Sequence, residues 1–118
     1  MIFAQDKSEK RIHKRITLRT SATILLPDKK TIKVRTLDIG SGGMAIVADG
    51  NPNQGVIFNI QMILPLHTGI PPIFEATVRV AHSVLSGQEG GFKIGLQFVE
   101  LNDSAELALN QFIEQNTK

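Results

Sequence analysis

Six stretches of this 118-residue chain alternate apolar and polar residues with a period of two, and no helical stretch separates one from the next. Parallel neighbours need a crossover of roughly a dozen residues or more, usually a helix, to bring the chain back to the same end of a sheet. A doubly wound parallel sheet is therefore excluded, and an antiparallel sheet, most simply a closed barrel, is favoured. The cleanest alternation sets Phe92, Ile94, Leu96 and Phe98 against Lys93, Gly95, Gln97 and Val99. The others run over residues 16–26, 32–37, 44–48, 56–64 and 73–84. Turn-forming residues punctuate them: Pro27-Asp28-Lys29-Lys30, Gly40-Ser41-Gly42-Gly43, and the stretches 49–55, 67–72 and 86–91. Only the end of the chain changes period. Ala105, Ala108, Leu109, Phe112 and Ile113 fall on one face at helical spacing, and Asp103 with Glu106 resembles a capping box. The expected architecture is all-β with a C-terminal helix: a six-stranded antiparallel β-barrel over residues 16–118, its helix at about 103–116 packed on an open end or flank. Residues 1–15 read as a flexible basic arm with little to bury.

The length supports one domain with a real core. No apolar run approaches the roughly 20 residues that span a bilayer, so no membrane insertion is expected. The N-terminus has no basic leader followed by an apolar stretch, which argues against a cleaved signal peptide. Without cysteine there is no disulfide framework and no thiolate chemistry. A cytoplasmic location fits these features. The net charge is only +2, yet residues 1–35 hold ten Lys/Arg against three Asp/Glu, and the remainder holds three against eight. That asymmetry directs a polyanionic partner, if there is one, to the first segment; a solvated basic tail gives the same charge pattern.

Familiar catalytic patterns do not hold up. Gly40-Ser41-Gly42-Gly43-Met44-Ala45 spells G-x-G-x-x-A, but the residues that follow are β-like and end at Asp49, whereas a dinucleotide fingerprint needs a helix there. His13, His67 and His82 stand far apart with no second ligand at useful spacing. The serines lack a nucleophile-elbow context, and the acids are scattered singly. A binding role rather than an enzymatic one is expected.

Two short segments carry more information. Arg11-Ile12-His13-Lys14-Arg15 spells R-x-x-x-R, preceded by Lys10, and Asp38-Ile39-Gly40-Ser41-Gly42-Gly43 follows the second alternating run. With the six runs, the Gly95-Leu96-Gln97-Phe98 strand and the terminal helix, they resemble the PilZ family from about Lys10 onward. Members of that family are receptors for the bacterial second messenger cyclic di-GMP and carry R-x-x-x-R and [D/N]-x-S-x-x-G. Arg11 and Arg15 match the first motif; Asp38 and Gly43 match the ends of the second. Gly40 stands where the family has serine, with a serine displaced to position 41.

The resemblance implies a cyclic di-GMP receptor or adaptor that changes conformation on ligand binding and signals to an unidentified effector protein, as a monomer or weak dimer. The implied ligand residues are Lys10, Arg11, Arg15, Asp38, Gly40, Ser41, Gly42 and Gly43, with no metal and no further cofactor. The chemistry is apt. Arginine's planar fork grips a phosphate or the O6/N7 edge of guanine and stacks on the base. A carboxylate such as Asp38 accepts from guanine N–H groups, and glycines permit close approach and left-handed backbone. The alternative is a PilZ-like protein-interaction module, related to type IV pili or motility, in which ligand binding is weakened or lost. Nucleic-acid binding by the basic arm ranks last, because the chain has no Trp or Tyr for base stacking.

Overall fold

The computed structural model describes residues 15–67 and 69–117. Seven strands and one helix follow in order: β1 (Arg15–Thr17), β2 (Ser21–Leu25), β3 (Thr31–Gly40), β4 (Gly43–Ala48), β5 (Ile57–Ile63), β6 (Ile73–Ser86), β7 (Gly91–Leu101) and α1 (Asp103–Gln115). All neighbours are antiparallel. The ladder runs β3-β2-β5-β6-β7-β4, and β4 pairs back onto β3, which closes a six-stranded barrel. Closure removes the exposed edges that an open sheet would present. β1 is the seventh strand and pairs with the C-terminal part of β3.

Alternation fills the interior. Ile39, Met44, Ile46, Ile60, Leu64, Phe74 and Val78 have no measurable exposure. Phe74 meets Phe98 edge-on, with ring centroids 5.7 Å apart and planes at 62°, the arrangement that aromatic quadrupoles favour. The helix buries Ala105, Ala108, Leu109 and Phe112 in the same core, against β6 and β7. Its cap lies one residue earlier than the capping-box reading. Asn102, not Asp103, is the N-cap, and its Oδ1 accepts the Ala105 N–H at 2.8 Å. Asp103 and Glu106 then sit in the first turn, where negative charge suits the helix dipole.

Two irregularities decide where side chains point. The alternation over 16–26 is not one strand: it breaks at residues 18–20. Thr17 pairs with Asp38 and Ser21 with Arg35, so four steps on one side match three on the other. The second irregularity is a bulge on β3 at Leu37, where Thr36 pairs with Ile46 but Asp38 with Ala45. Counting by twos from the buried Val34 and Thr36, Asp38 would enter the core. The extra residue puts Ile39 there instead and turns Asp38 outward. Leu37 packs with Ala45 and Val47 in a small cluster separate from the main core.

Candidate ligand-binding site

β1 exists to hold one end of β3. In its register Arg15 lies opposite Gly40, Ile16 opposite Ile39 and Thr17 opposite Asp38. Paired residues share a face, so Arg15, Thr17 and Asp38 all point outward, and Arg15 is the diagonal neighbour of Asp38. Arg15 Nε donates to Asp38 Oδ1 at 2.9 Å, and Arg15 Nη2 lies 2.8 Å from the same oxygen. Both side chains remain partly exposed, 43% for Arg15 and 30% for Asp38. A pair this open is worth no more than about 1 kcal/mol. It orients the two groups without locking them.

The break before β2 is held by Thr36, the one buried polar residue among those described. Its hydroxyl donates to the Leu18 carbonyl and accepts the Thr20 N–H at 2.9 Å. Thr36 N–H donates to the Thr20 carbonyl at 2.8 Å, and Leu18 N–H to the Leu37 carbonyl at 2.9 Å. A hydroxyl here replaces the ladder bonds that the extra residue removes. Thr36→Val keeps the shape and strips the hydroxyl, stranding the Leu18 carbonyl and the Thr20 N–H. The expected cost is about 2 kcal/mol of stability, read from the urea midpoint at unchanged slope.

Gly40, Ser41, Gly42 and Gly43 make the β3–β4 connection, and it is tighter than the four-residue loop expected: β3 runs through Gly40 and β4 starts at Gly43. Ser41 and Gly42 are exposed, whereas Gly40 and Gly43 are buried. The left-handed freedom expected of these glycines is not used, because the glycines with positive φ among the described residues are Gly55, Gly69 and Gly90. Gly43 serves close approach to β7. A Cβ on it would lie 2.0 Å from the Leu96 carbonyl oxygen. Next to this contact, the Phe98 N–H donates to the Gly42 carbonyl at 3.0 Å. Lys10 and Arg11, the other motif residues, lie outside the described residues.

Periodicity and motifs do not reveal a further group of charges beside this pair. Arg19, in the break between β1 and β2, meets Glu89 of the β6–β7 turn through Nη1···Oε1 at 3.3 Å and Nη2···Oε2 at 3.1 Å. Arg35 donates to the Glu89 carbonyl oxygen at 2.6 Å and stands 3.9 Å from its carboxylate. Hydrogen bonding from Arg19 holds the Glu89 carboxyl below the ordinary carboxylate range. What the pairing adds to stability is therefore present above the ordinary carboxylate pKa and is lost as pH falls through the lowered one. The partners are 70 and 54 residues apart in sequence, so only the closed barrel brings them together.

The histidines do not form a site. His67 is exposed, and the ring of His82 lies over Gly95, where a Cβ would sit 2.2 Å from its Cε1. Among the described residues no group of three His, Cys, Asp or Glu side chains could hold a metal ion. No helix among them is long and apolar enough to cross a membrane.

The sequence matches the PilZ domain family over residues 9–115. No protein of curated function matches it. Among solved structures, the fold is similar to the Bacillus subtilis inhibitor of motility MotI/DgrA, at TM-score 0.76 and 18% identity, covering 87% of this chain and 49% of that one. It is also similar to the PilZ domain of YcgR from Escherichia coli with c-di-GMP, at TM-score 0.62 and 17% identity, covering 88% of each chain. A third similar structure is the PlzA protein of Borreliella burgdorferi in complex with c-di-GMP, at TM-score 0.60 and 12% identity, covering 92% of this chain and 44% of that one. The chain thus spans about half the length of MotI/DgrA and of PlzA.

Proposed function

Because the chain belongs to the PilZ domain family, we propose that it is a non-catalytic cytoplasmic receptor for cyclic di-GMP that signals to a protein partner. The observation that carries this reading is the meeting of Arg15 and Asp38 on one outward face, from two motifs 23 residues apart. The similar YcgR structure contains c-di-GMP, and MotI/DgrA is an inhibitor of motility, so control of motility is the process we assign to this chain.

In this reading the ligand exchanges a weak pair for stronger ones. The exposed Arg15–Asp38 contact is worth at most about 1 kcal/mol, whereas hydrogen bonds to charged groups contribute about 1.5–3 kcal/mol each. Arg15 would turn its fork to a phosphate or to the O6/N7 edge of a guanine. Asp38 would accept from the N–H groups of that guanine. Residues 1–15 would supply Lys10 and Arg11 to the same ligand, and the exposed Ser41-Gly42 turn would lie at its border. A change of conformation on ligand capture is what we assign to signalling.

Titration calorimetry with cyclic di-GMP tests the proposal. Saturable binding is expected, and at ligand a hundredfold above Kd the folded state gains about 2.7 kcal/mol. Absence of binding at several hundred micromolar, with the protein folded, contradicts it.

Gly40 supports a second reading, an interaction module whose ligand site has decayed. Gly40 occupies the serine position of the motif and lies opposite Arg15 in the ladder. In the receptor reading Gly40→Ser changes affinity by less than about tenfold, or about 1.4 kcal/mol. A rise from no detectable binding to firm binding would instead identify a degenerate site.

A further inference from the structure

The outer face of β3 carries cations that neither motif includes. Arg19, Thr20, Ser21, Arg35 and Thr36 line one surface hollow, and Ser21 and Arg35 continue into a second beside Lys33 and Gly90. The hollow adjoins the Arg15–Asp38 pair along the chain on both strands: its Thr36 lies two residues before Asp38 on β3, and its Arg19 two residues after Thr17, the partner of Asp38. Both guanidinium groups of the hollow engage Glu89, which reaches over from the β6–β7 turn: Arg19 grips the carboxylate, and Arg35 donates to the backbone carbonyl with the carboxylate 3.9 Å away. Both carboxylate oxygens sit against the two terminal nitrogens of Arg19, the fork arrangement that two non-bridging phosphate oxygens also satisfy.

We propose that Arg19 is a third ligand-binding arginine of this receptor, and that Glu89 is an internal stand-in for a ligand phosphate which the cyclic dinucleotide displaces. The inference rests on the receptor reading and adds a residue and a consequence to it. The two arginines are 58% and 55% exposed while the Glu89 side chain is 18% exposed, so each guanidinium can reach a ligand from solvent and exchange one anion for another. A dinucleotide held at Arg15 and Asp38 brings its phosphates beside Arg19 at high local concentration, and Glu89 competes poorly against them. Once the Glu89 carboxylate leaves, the β6–β7 turn loses its tie to Arg19 and retains the bond from Arg35 to the Glu89 carbonyl oxygen. It keeps its own bonds, Gly90 N–H to the Ser86 carbonyl at 3.0 Å and Glu89 N–H to Ser86 Oγ at 3.2 Å. Ligand capture on one side of the barrel is thereby felt at a turn far along the chain.

The test titrates cyclic di-GMP into wild type, Arg19→Ala and Glu89→Gln by calorimetry, and follows amide exchange at residues 87–90 of the wild type with and without ligand. Expected are a loss of about tenfold in affinity for Arg19→Ala, a gain of about threefold for Glu89→Gln, and faster exchange in the turn when ligand is bound. Wild-type binding with both variants unchanged, or a turn that exchanges no faster with ligand, overturns this inference and leaves the receptor reading standing. A folded wild type that does not bind overturns both. The exchange measurement needs no variant, so a substitution that unfolds the chain does not obscure the answer.

Discussion

Gly43→Ala is expected to cost more than about 3 kcal/mol of folding stability, beyond the usual range for overpacking because the clash is with backbone. The added carbon would sit 2.0 Å from the Leu96 carbonyl oxygen and 3.1 Å from its carbon, and both belong to the backbone of a central strand. No side-chain rotation relieves such a clash. Either β4 or β7 must move, and their ladder runs on from Gly43↔Gln97 to Ala48↔Phe92. For a domain of this size the melting temperature should fall by more than about 10 °C. An alanine variant that melts within a few degrees of wild type would show that the β4–β7 crossing is looser than described. The same glycine closes the second motif, so loss of ligand binding in this variant reports unfolding and not a lost contact.

Arg15→Ala is expected to weaken cyclic di-GMP binding by about a hundredfold, or about 2.7 kcal/mol, while leaving the melting temperature within about 3 °C of wild type. The two halves of this prediction have separate causes. The stability effect is small because the Arg15–Asp38 pair is exposed, and β1 keeps its backbone pairing with β3 after truncation. The affinity effect is large because one guanidinium supplies at least two charge-assisted bonds to the ligand and positions Asp38 as well. Arg15→Lys should recover only a minor part, since an ammonium keeps the charge but not the fork. A hundredfold loss together with a large drop in melting temperature would instead make Arg15 a structural residue.

Much of the barrel was legible because each strand has one wet face and one dry face, and antiparallel pairing allows short connections. The break at residues 18–20 was not, because Ile16, Leu18, Ala22 and Ile24 keep the same period through it; only the pairing with β3 shows the extra residue. The bulge at Leu37 was not legible either, because Leu37 and Ile39 continue an apolar alternation of their own; only the shift from Thr36↔Ile46 to Asp38↔Ala45 shows it. Gly43 was picked out for close approach to a ligand, and its contact with Leu96 of β7 had no signal, because the partner lies 53 residues away and meets it only in the closed barrel. Of the motif residues, the structure brings Arg15 and Asp38 into contact; Lys10 and Arg11 lie outside the described residues. Glu89 had no signal at all. A lone acid in a turn becomes noticeable only when closure of the barrel sets it between Arg19 and Arg35.

The most direct measurement of the central claim is a two-dimensional amide spectrum of the 15N-labelled protein, titrated with cyclic di-GMP. Saturable shifts are expected, centred on residues 15–19 and 35–43, extending to Glu89 and fading toward the β2–β3 turn at the opposite end of β3. Shifts centred on that turn, or a spectrum unchanged by ligand, would contradict the receptor reading.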